Sequence, residues 1–134
     1  MKIRFRLRTV AILFLAASGY LAANSRLSQN TREFVRSIDA LDASAQTHLL
    51  SSVNDSNSRR IAVFDPSQQP RVEVLPRSLA DYLLLRCECR VYFESGTQSG
   101  RTYQNYRNTA EFSIGLNSVK LLSSDEKLGY TLTG

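Results

Sequence analysis

The chain has no tryptophan, a single histidine and only two cysteines among its 134 residues. A structural zinc site needs four ligands, and His48 is the only soft ligand besides the two thiols. A Ser-His-Asp triad would depend on the same histidine, and no serine lies in a nucleophile-elbow sequence. No glycine-rich phosphate loop occurs either. The sequence therefore predicts a protein that has no metal or cofactor and is not an enzyme, unless its two cysteines exchange disulfides.

Positive charge precedes the long apolar run of the chain, which occupies residues 10–17. The four basic residues before it are Lys2, Arg4, Arg6 and Arg8. A basic head, an apolar stretch and then small residues are typical of a secretory signal peptide, here residues 1–23, with cleavage after Gly19 or Ala23. The alternative is a membrane anchor, which needs about 20 apolar residues. Polar residues interrupt the run from Ser18 onward, so we expect export and cleavage.

Removal of residues 1–23 would leave 13 basic and 12 acidic residues, a net charge of +1. The basic pI of the whole chain therefore belongs to the leader and does not indicate nucleic-acid binding. No cysteine stands where a bacterial lipoprotein is acylated. We expect an exported protein without stable membrane insertion, in a compartment outside the cytoplasm where a disulfide can form.

The rest of the chain divides by the period of its apolar residues. In residues 24–60, Phe34, Ile38, Leu41 and Ala45 recur at helical spacing, which predicts a short amphipathic helix over about 31–50 in a loosely packed or mobile leader. Residues 61–134 alternate with a period of two. Seven short runs can be marked there, at 61–64, 71–75, 82–94, 101–106, 109–116, 118–122 and 127–132, separated by turn sequences such as SSDE. This pattern predicts an all-β domain, a sandwich or barrel of about seven strands.

Both cysteines lie in the third run, whose odd-numbered residues from Leu83 to Phe93 are apolar or thiol and whose even-numbered residues carry every charge. Cys87 and Cys89 should therefore face the interior. Residues i and i+2 of a strand lie about 6.6 Å apart, more than the usual separation in a disulfide. A bond between them would be strained and easily reduced, so the pair is a candidate redox switch as well as two buried thiols.

The motif CECRV, followed by ESGTQSGRT, resembles the curli assembly protein CsgC family, which consists of small periplasmic proteins with a C-x-C motif. The likeness covers about residues 61–134. It implies a location in the periplasm of a Gram-negative bacterium and an immunoglobulin-like antiparallel β-sandwich. It also implies a chaperone-like role in which the protein binds curlin-type amyloid fibre subunits transiently and prevents their premature polymerisation.

Outward-facing groups on and after the motif strand are the candidate contacts for such a client. They are Arg86, Glu88, Arg90, Tyr92, Arg101 and Tyr103. Two alternatives stay open: a thiol-disulfide redox protein that uses Cys87 and Cys89, and a small α/β module of the type found at the N-termini of secretins and outer-membrane receptors. In the second alternative, RSLADYLLL and NSVKLLSSDE would be helices.

Overall fold

The structure, a computed structural model, describes residues 2–56, 63–64 and 69–134. Two helices precede an antiparallel sheet, and a short third helix is inserted between its strands. In chain order the elements are α1 (Lys2–Ala40), α2 (Ala43–Ser56), β1 (Val63–Phe64), β2 (Arg71–Val74), α3 (Leu79–Leu83), β3 (Cys87–Ser99), β4 (Thr102–Ile114) and β5 (Val119–Thr133).

Strands β3, β4 and β5 form a long antiparallel meander, and β5 is one edge of the sheet. The other edge is shared, because β2 pairs with the first half of β3 and β1 with its second half. A tight turn joins β3 to β4 at Gly100, whose φ of 61° lies in the left-handed region that glycine adopts without a steric penalty.

The core lies between one face of the sheet and the two long helices. Odd-numbered residues of β3 and even-numbered residues of β4 point toward the helices. The buried apolar residues are Cys87, Cys89, Val91, Phe93, Ala110, Phe112 and Ile114 from the sheet, and Leu27, Phe34, Ile38, Ala45 and Leu49 from the helices. The rings of Phe34 and Phe112 meet across this interface with their centroids 5.5 Å apart. The opposite face of the sheet, which we call the open face, has no helix packed on it among the described residues.

The predicted all-β, immunoglobulin-like sandwich of seven strands is wrong, because the structure has a long N-terminal helix and a single antiparallel sheet. Alternation with a period of two shows that one face of a strand is buried, but it does not identify what buries it. In this protein the second layer is helical. A loosely packed or mobile leader was expected for residues 24–60. The described part of this segment, residues 24–56, supplies the helical layer through Phe34, Ile38 and Ala45. Instead of one helix over 31–50, two helices meet at Leu41, whose φ is 49°.

The described residues also form fewer strands than predicted, and the first half of the predicted run 61–64 lies outside those residues. The runs 101–106 and 109–116 are one strand, β4, and the runs 118–122 and 127–132 are one strand, β5. The predicted SSDE turn lies inside β5, where Ser123 pairs with Glu111 and Asp125 with Thr109. The register shifts just before this segment, between Leu121 and Ser123, but all four of its residues pair with β4, and this pairing overrides their local turn preference.

The long third run begins with a helix and not with a strand. Ser78 caps α3 by accepting a hydrogen bond from the Asp81 backbone N–H, and the Asp81 carboxylate accepts one from the Ser78 N–H. Leu83, expected to point inward, is therefore on α3 and 72% exposed. The chain turns into β3 at Leu85, which has a φ of 50°. The secretin-like alternative predicted helices at RSLADYLLL and NSVKLLSSDE. The first prediction is correct, since α3 lies there, but most of the second segment belongs to strand β5.

Candidate functional site

The two cysteines lie on the helix-facing side of β3, and both are free thiols. Cys89 is fully buried and pairs with Phe112 of β4. Burial raises the pKa of the Cys89 thiol to about 12, and the neighbouring Cys87 contributes to this shift. Because the thiolate is the reactive form of cysteine, these surroundings oppose redox chemistry and metal binding.

Four of the six predicted client contacts lie on the open face: Glu88, Arg90 and Tyr92 of β3 and Tyr103 of β4. The other two lie at opposite ends of β3. Arg86 precedes the strand and donates to the Asp81 carboxylate at 2.7 Å. Arg101 is exposed in the turn after Gly100. The predicted contacts are therefore spread over the length of the sheet and do not form one patch.

A chain of polar contacts crosses the open face from β4 to β2. Arg90 donates to one carboxylate oxygen of Glu111 through Nε at 3.2 Å and Nη2 at 2.9 Å. Its Nη1 donates to the Tyr92 hydroxyl at 3.5 Å, and that hydroxyl donates to Glu73 at 3.2 Å. Arg90 is thus engaged within the sheet, and we assign it to holding strands together and not to ligand binding.

Beside this network the open face carries a cavity of about 360 Å³, which we call the cationic groove. Gln69, Arg71, Tyr92, Phe93, Glu94, Arg107, Asn108, Thr109 and Lys127 line it. The register of the sheet brings the charges together, because Glu94 pairs with Arg107 and Arg107 with Lys127. Arg71 approaches from β2, with its guanidinium carbon 4.7 Å from the centroid of the Tyr92 ring.

Three cations and one carboxylate share this groove. Arg107 lies 3.7 Å from Glu94, and its side chain is 76% exposed, so that ion pair is weak. Arg107 and Lys127 lie directly opposite each other on neighbouring strands. Like charges in such a pair repel each other and destabilise the sheet. An anionic group bound between them would relieve this repulsion, and guanidinium groups bind carboxylates well.

Sequence reasoning identified Tyr92 but missed Arg71, Arg107 and Lys127. Each is one of many basic residues in an alternating pattern, and no local motif distinguishes it. Only the pairing register brings residues from three strands to one groove, so the sequence contained no signal that could have grouped them.

A second groove, of about 710 Å³, lies between α1, the start of α2 and the β4–β5 turn. Several of its polar groups bind each other: the Asn30 amide donates to the carbonyls of Gly115 and Leu116, and Arg26 donates to Asn117. His48 packs edge-on against Phe34 and Phe112. We interpret this groove as a structural joint between α1 and the sheet. In the described part of the chain, no three His, Cys, Asp or Glu residues are grouped as metal ligands.

Comparison with known proteins adds no relative: no protein-family model, no curated protein and no solved structure matches the chain. The resemblance to the CsgC family therefore stays a prediction that depends on the CECRV motif and the residues after it.

Proposed function

We propose that this protein is a membrane-anchored, non-catalytic domain that binds acidic segments of partner polypeptides in the cationic groove, on the outer side of the cytoplasmic membrane. The observation that carries this proposal is the unequal environment of α1. Residues 9–22 of this continuous helix carry no charge and are exposed on every side, and its second half packs on the sheet.

The first half of α1 has the composition of a membrane span. The helix from Arg6 to Ala40 is long and apolar enough to cross a bilayer, and none of its most apolar window is buried by the rest of the protein. Residues 9–25 are 17 consecutive residues without charge. At a rise of about 1.5 Å per residue they span about 26 Å, close to the thickness of the hydrocarbon core. The exposed leucines and Phe14 would find their apolar environment in lipid.

Charge determines the direction in which such a helix inserts. The basic residues of the chain's start lie immediately before the apolar stretch. Lys and Arg next to a membrane span favour the cytoplasmic side. The sheet domain at the other end of α1 would then lie outside the cytoplasmic membrane, which agrees with the periplasmic location expected from the sequence.

An uncut anchor is the membrane alternative to signal-peptide cleavage. Both expected cleavage sites, Gly19 and Ala23, lie within α1. The residues around them contact the domain: the Tyr20 hydroxyl donates to the Tyr82 carbonyl at 2.7 Å, and Arg77 donates to Asn24 at 2.6 Å. These contacts support a helix that joins anchor and domain as one unit.

The anchor is tested by its fate in cells. We expect the protein in the membrane pellet after a carbonate wash, with an intact mass that includes residues 1–23. A soluble protein whose sequence starts at residue 20 or 24 would contradict the anchor and would support a cleaved signal peptide.

The cationic groove is tested separately with a fluorescent deca-glutamate peptide and detergent-solubilised protein. Arg107→Glu should weaken binding at least about tenfold, because it removes one of three cations and places a second carboxylate beside Glu94. Lys120→Glu is the matched control, since it makes the same charge change on β5 outside the groove. Equal losses in both variants would show general charge attraction and refute a groove site. An oligonucleotide of equal charge should bind less well, because Glu73 and Glu111 repel an extended phosphate chain on this face; tighter binding to it would also refute the proposal.

Curlin-type fibre subunits are the client that the CECRV resemblance implies, and we keep them as a specific hypothesis within this proposal. The expected sandwich fold does not support them, so the client needs a direct assay. Substoichiometric protein should delay curlin fibre formation, and Arg107→Glu should shorten the delay more than Lys120→Glu does. No delay at any ratio would remove curlin as a client and leave the groove to other acidic segments.

A further inference from the structure

An exposed apolar cluster lies on and directly after α3. Its members are Leu79, Tyr82, Leu83 and Leu84, which are 77%, 45%, 72% and 64% exposed. Four large apolar side chains within six residues form a contiguous patch, and contiguous exposed apolar patches mark interaction surfaces more often than single exposed residues do.

This cluster is held firmly in place. The Ser78 capping box begins α3, and the Asp81 carboxylate binds Arg86 at 2.7 Å. Arg77 donates to the carbonyls of Arg86 and Asp81, so both ends of the segment are tied together. An ordered element therefore exposes these leucines, and a partner that binds them would account for their exposure.

Two side-chain contacts fix the position of α3 along α1. The Tyr20 hydroxyl donates to the Tyr82 carbonyl, and Arg77 binds Asn24. Both α1 residues belong to the last part of the uncharged stretch, residues 9–25. If that stretch crosses the bilayer, α3 lies at the level of its outer surface. The span is at the short end of the usual range, and a short span draws its flanking residues into the interface.

We propose that α3 is a second membrane contact, which inserts Leu79, Leu83 and Leu84 into the outer leaflet beside the α1 span. This inference rests on the proposed membrane anchoring and adds a lipid-binding site on the sheet domain itself. The apolar occupant is lipid because the contacts of Tyr20 with Tyr82 and of Arg77 with Asn24 hold the cluster beside the exposed, uncharged part of α1.

The polar groups around the cluster suit the same position. Tyr20 and Tyr82 lie where a membrane protein carries its belt of interfacial aromatic residues. The Arg77 guanidinium carbon lies 4.1 Å from the centroid of the Tyr82 ring, and Arg86 is nearby. Cations at this depth reach lipid phosphates while their stems remain in apolar surroundings. A domain held by both α1 and α3 would keep a fixed tilt on the membrane and present its open face in one direction.

The absence of tryptophan allows a direct test, because one introduced tryptophan is the only such fluorophore. Full-length Leu83→Trp protein is reconstituted in phosphatidylcholine vesicles with and without lipids brominated on their acyl chains. We expect quenching of about twofold, since an interfacial side chain lies about 5–10 Å into the headgroup and acyl boundary. Leu13→Trp reports on the anchor. Leu128→Trp, 56% exposed in the half of β5 far from α3, is the matched control and should not be quenched.

The three variants separate the possible failures. Quenching of Leu13→Trp without quenching of Leu83→Trp would overturn the α3 contact and leave the anchor intact. No quenching at Leu13→Trp would overturn the anchor itself, and with it the basis of this inference. A blue-shifted but unquenched Leu83→Trp would show that protein, such as a second copy of the chain, covers the cluster, and it would refute lipid as the occupant.

Discussion

Substitution of Ile38 tests whether the helical layer is an integral part of the fold. Ile38 lies in the second half of α1, is fully buried and belongs to the cluster that joins the helices to the sheet. Ile38→Ala removes three carbon groups, worth about 0.8 kcal/mol each on transfer from water. The cavity left behind adds to this loss, so we expect the free energy of unfolding to fall by about 2–5 kcal/mol. Ile38→Val removes one carbon and should cost about 0.5–1.5 kcal/mol.

The assay is urea unfolding followed by far-UV circular dichroism, with all variants in the same detergent. Asp39→Ala is the control: it is the next residue of the same helix, it is exposed, and we expect a change within about 0.5 kcal/mol. Ile38→Ala should also lower Tm. The shift per kcal/mol is about 4–8 °C for domains of 60–100 residues and about 2–4 °C for 150–250 residues, and this chain of 134 residues lies between them. If Ile38→Ala changes stability no more than Asp39→Ala, then α1 does not form a core with the sheet, and the structural argument for joining anchor and domain fails.

Three further predictions concern the thiols, the α3 cap and the open face. Cys89 should react with iodoacetamide at pH 8 at least about a hundredfold faster after unfolding, because burial raises its pKa to about 12 and suppresses the thiolate; equal rates would show that the thiol is accessible. The N–H of the Ser78 backbone and the guanidinium of Arg86 lower the pKa of Asp81 below 3.8. The Asp81 carboxylate therefore stabilises the fold above pH 3.8, and this stabilisation is lost as the pH falls through the lowered pKa. Asp81→Asn should therefore lower Tm at pH 7, and by less at about pH 2, which lies below the ordinary pKa of 3.8; the same loss at both would exclude the charge as the cause. A methyl group at Gly96 would overlap the Tyr103 ring, so Gly96→Ala should cost about 1–3 kcal/mol in urea unfolding and less in a Tyr103→Ala background; an unchanged cost there would refute the clash.

The open face shows how much of the candidate site was within reach of the sequence. Alternation placed Glu88, Arg90 and Tyr92 on the outward side correctly, because a side chain's face on a strand follows from its position alone. It did not show that Arg90 is engaged by Glu111, or that Arg107 and Lys127 are neighbours. Those contacts depend on the register between strands, to which the turn after Ser99 and the irregular pairing of β5 contribute.

The sequence by itself determined the local features: a basic and apolar N-terminus, a helical period through Phe34 and Ile38, and strands whose thiols point inward. Each of these depends on residues a few positions apart. The tertiary structure alone decided that helices and not a second sheet cover those strands, that the cationic groove assembles on the open face, and that α3 lies beside Tyr20. These arrangements join residues distant along the chain, and they are selected by which apolar faces can bury each other most completely, a choice that no single segment encodes.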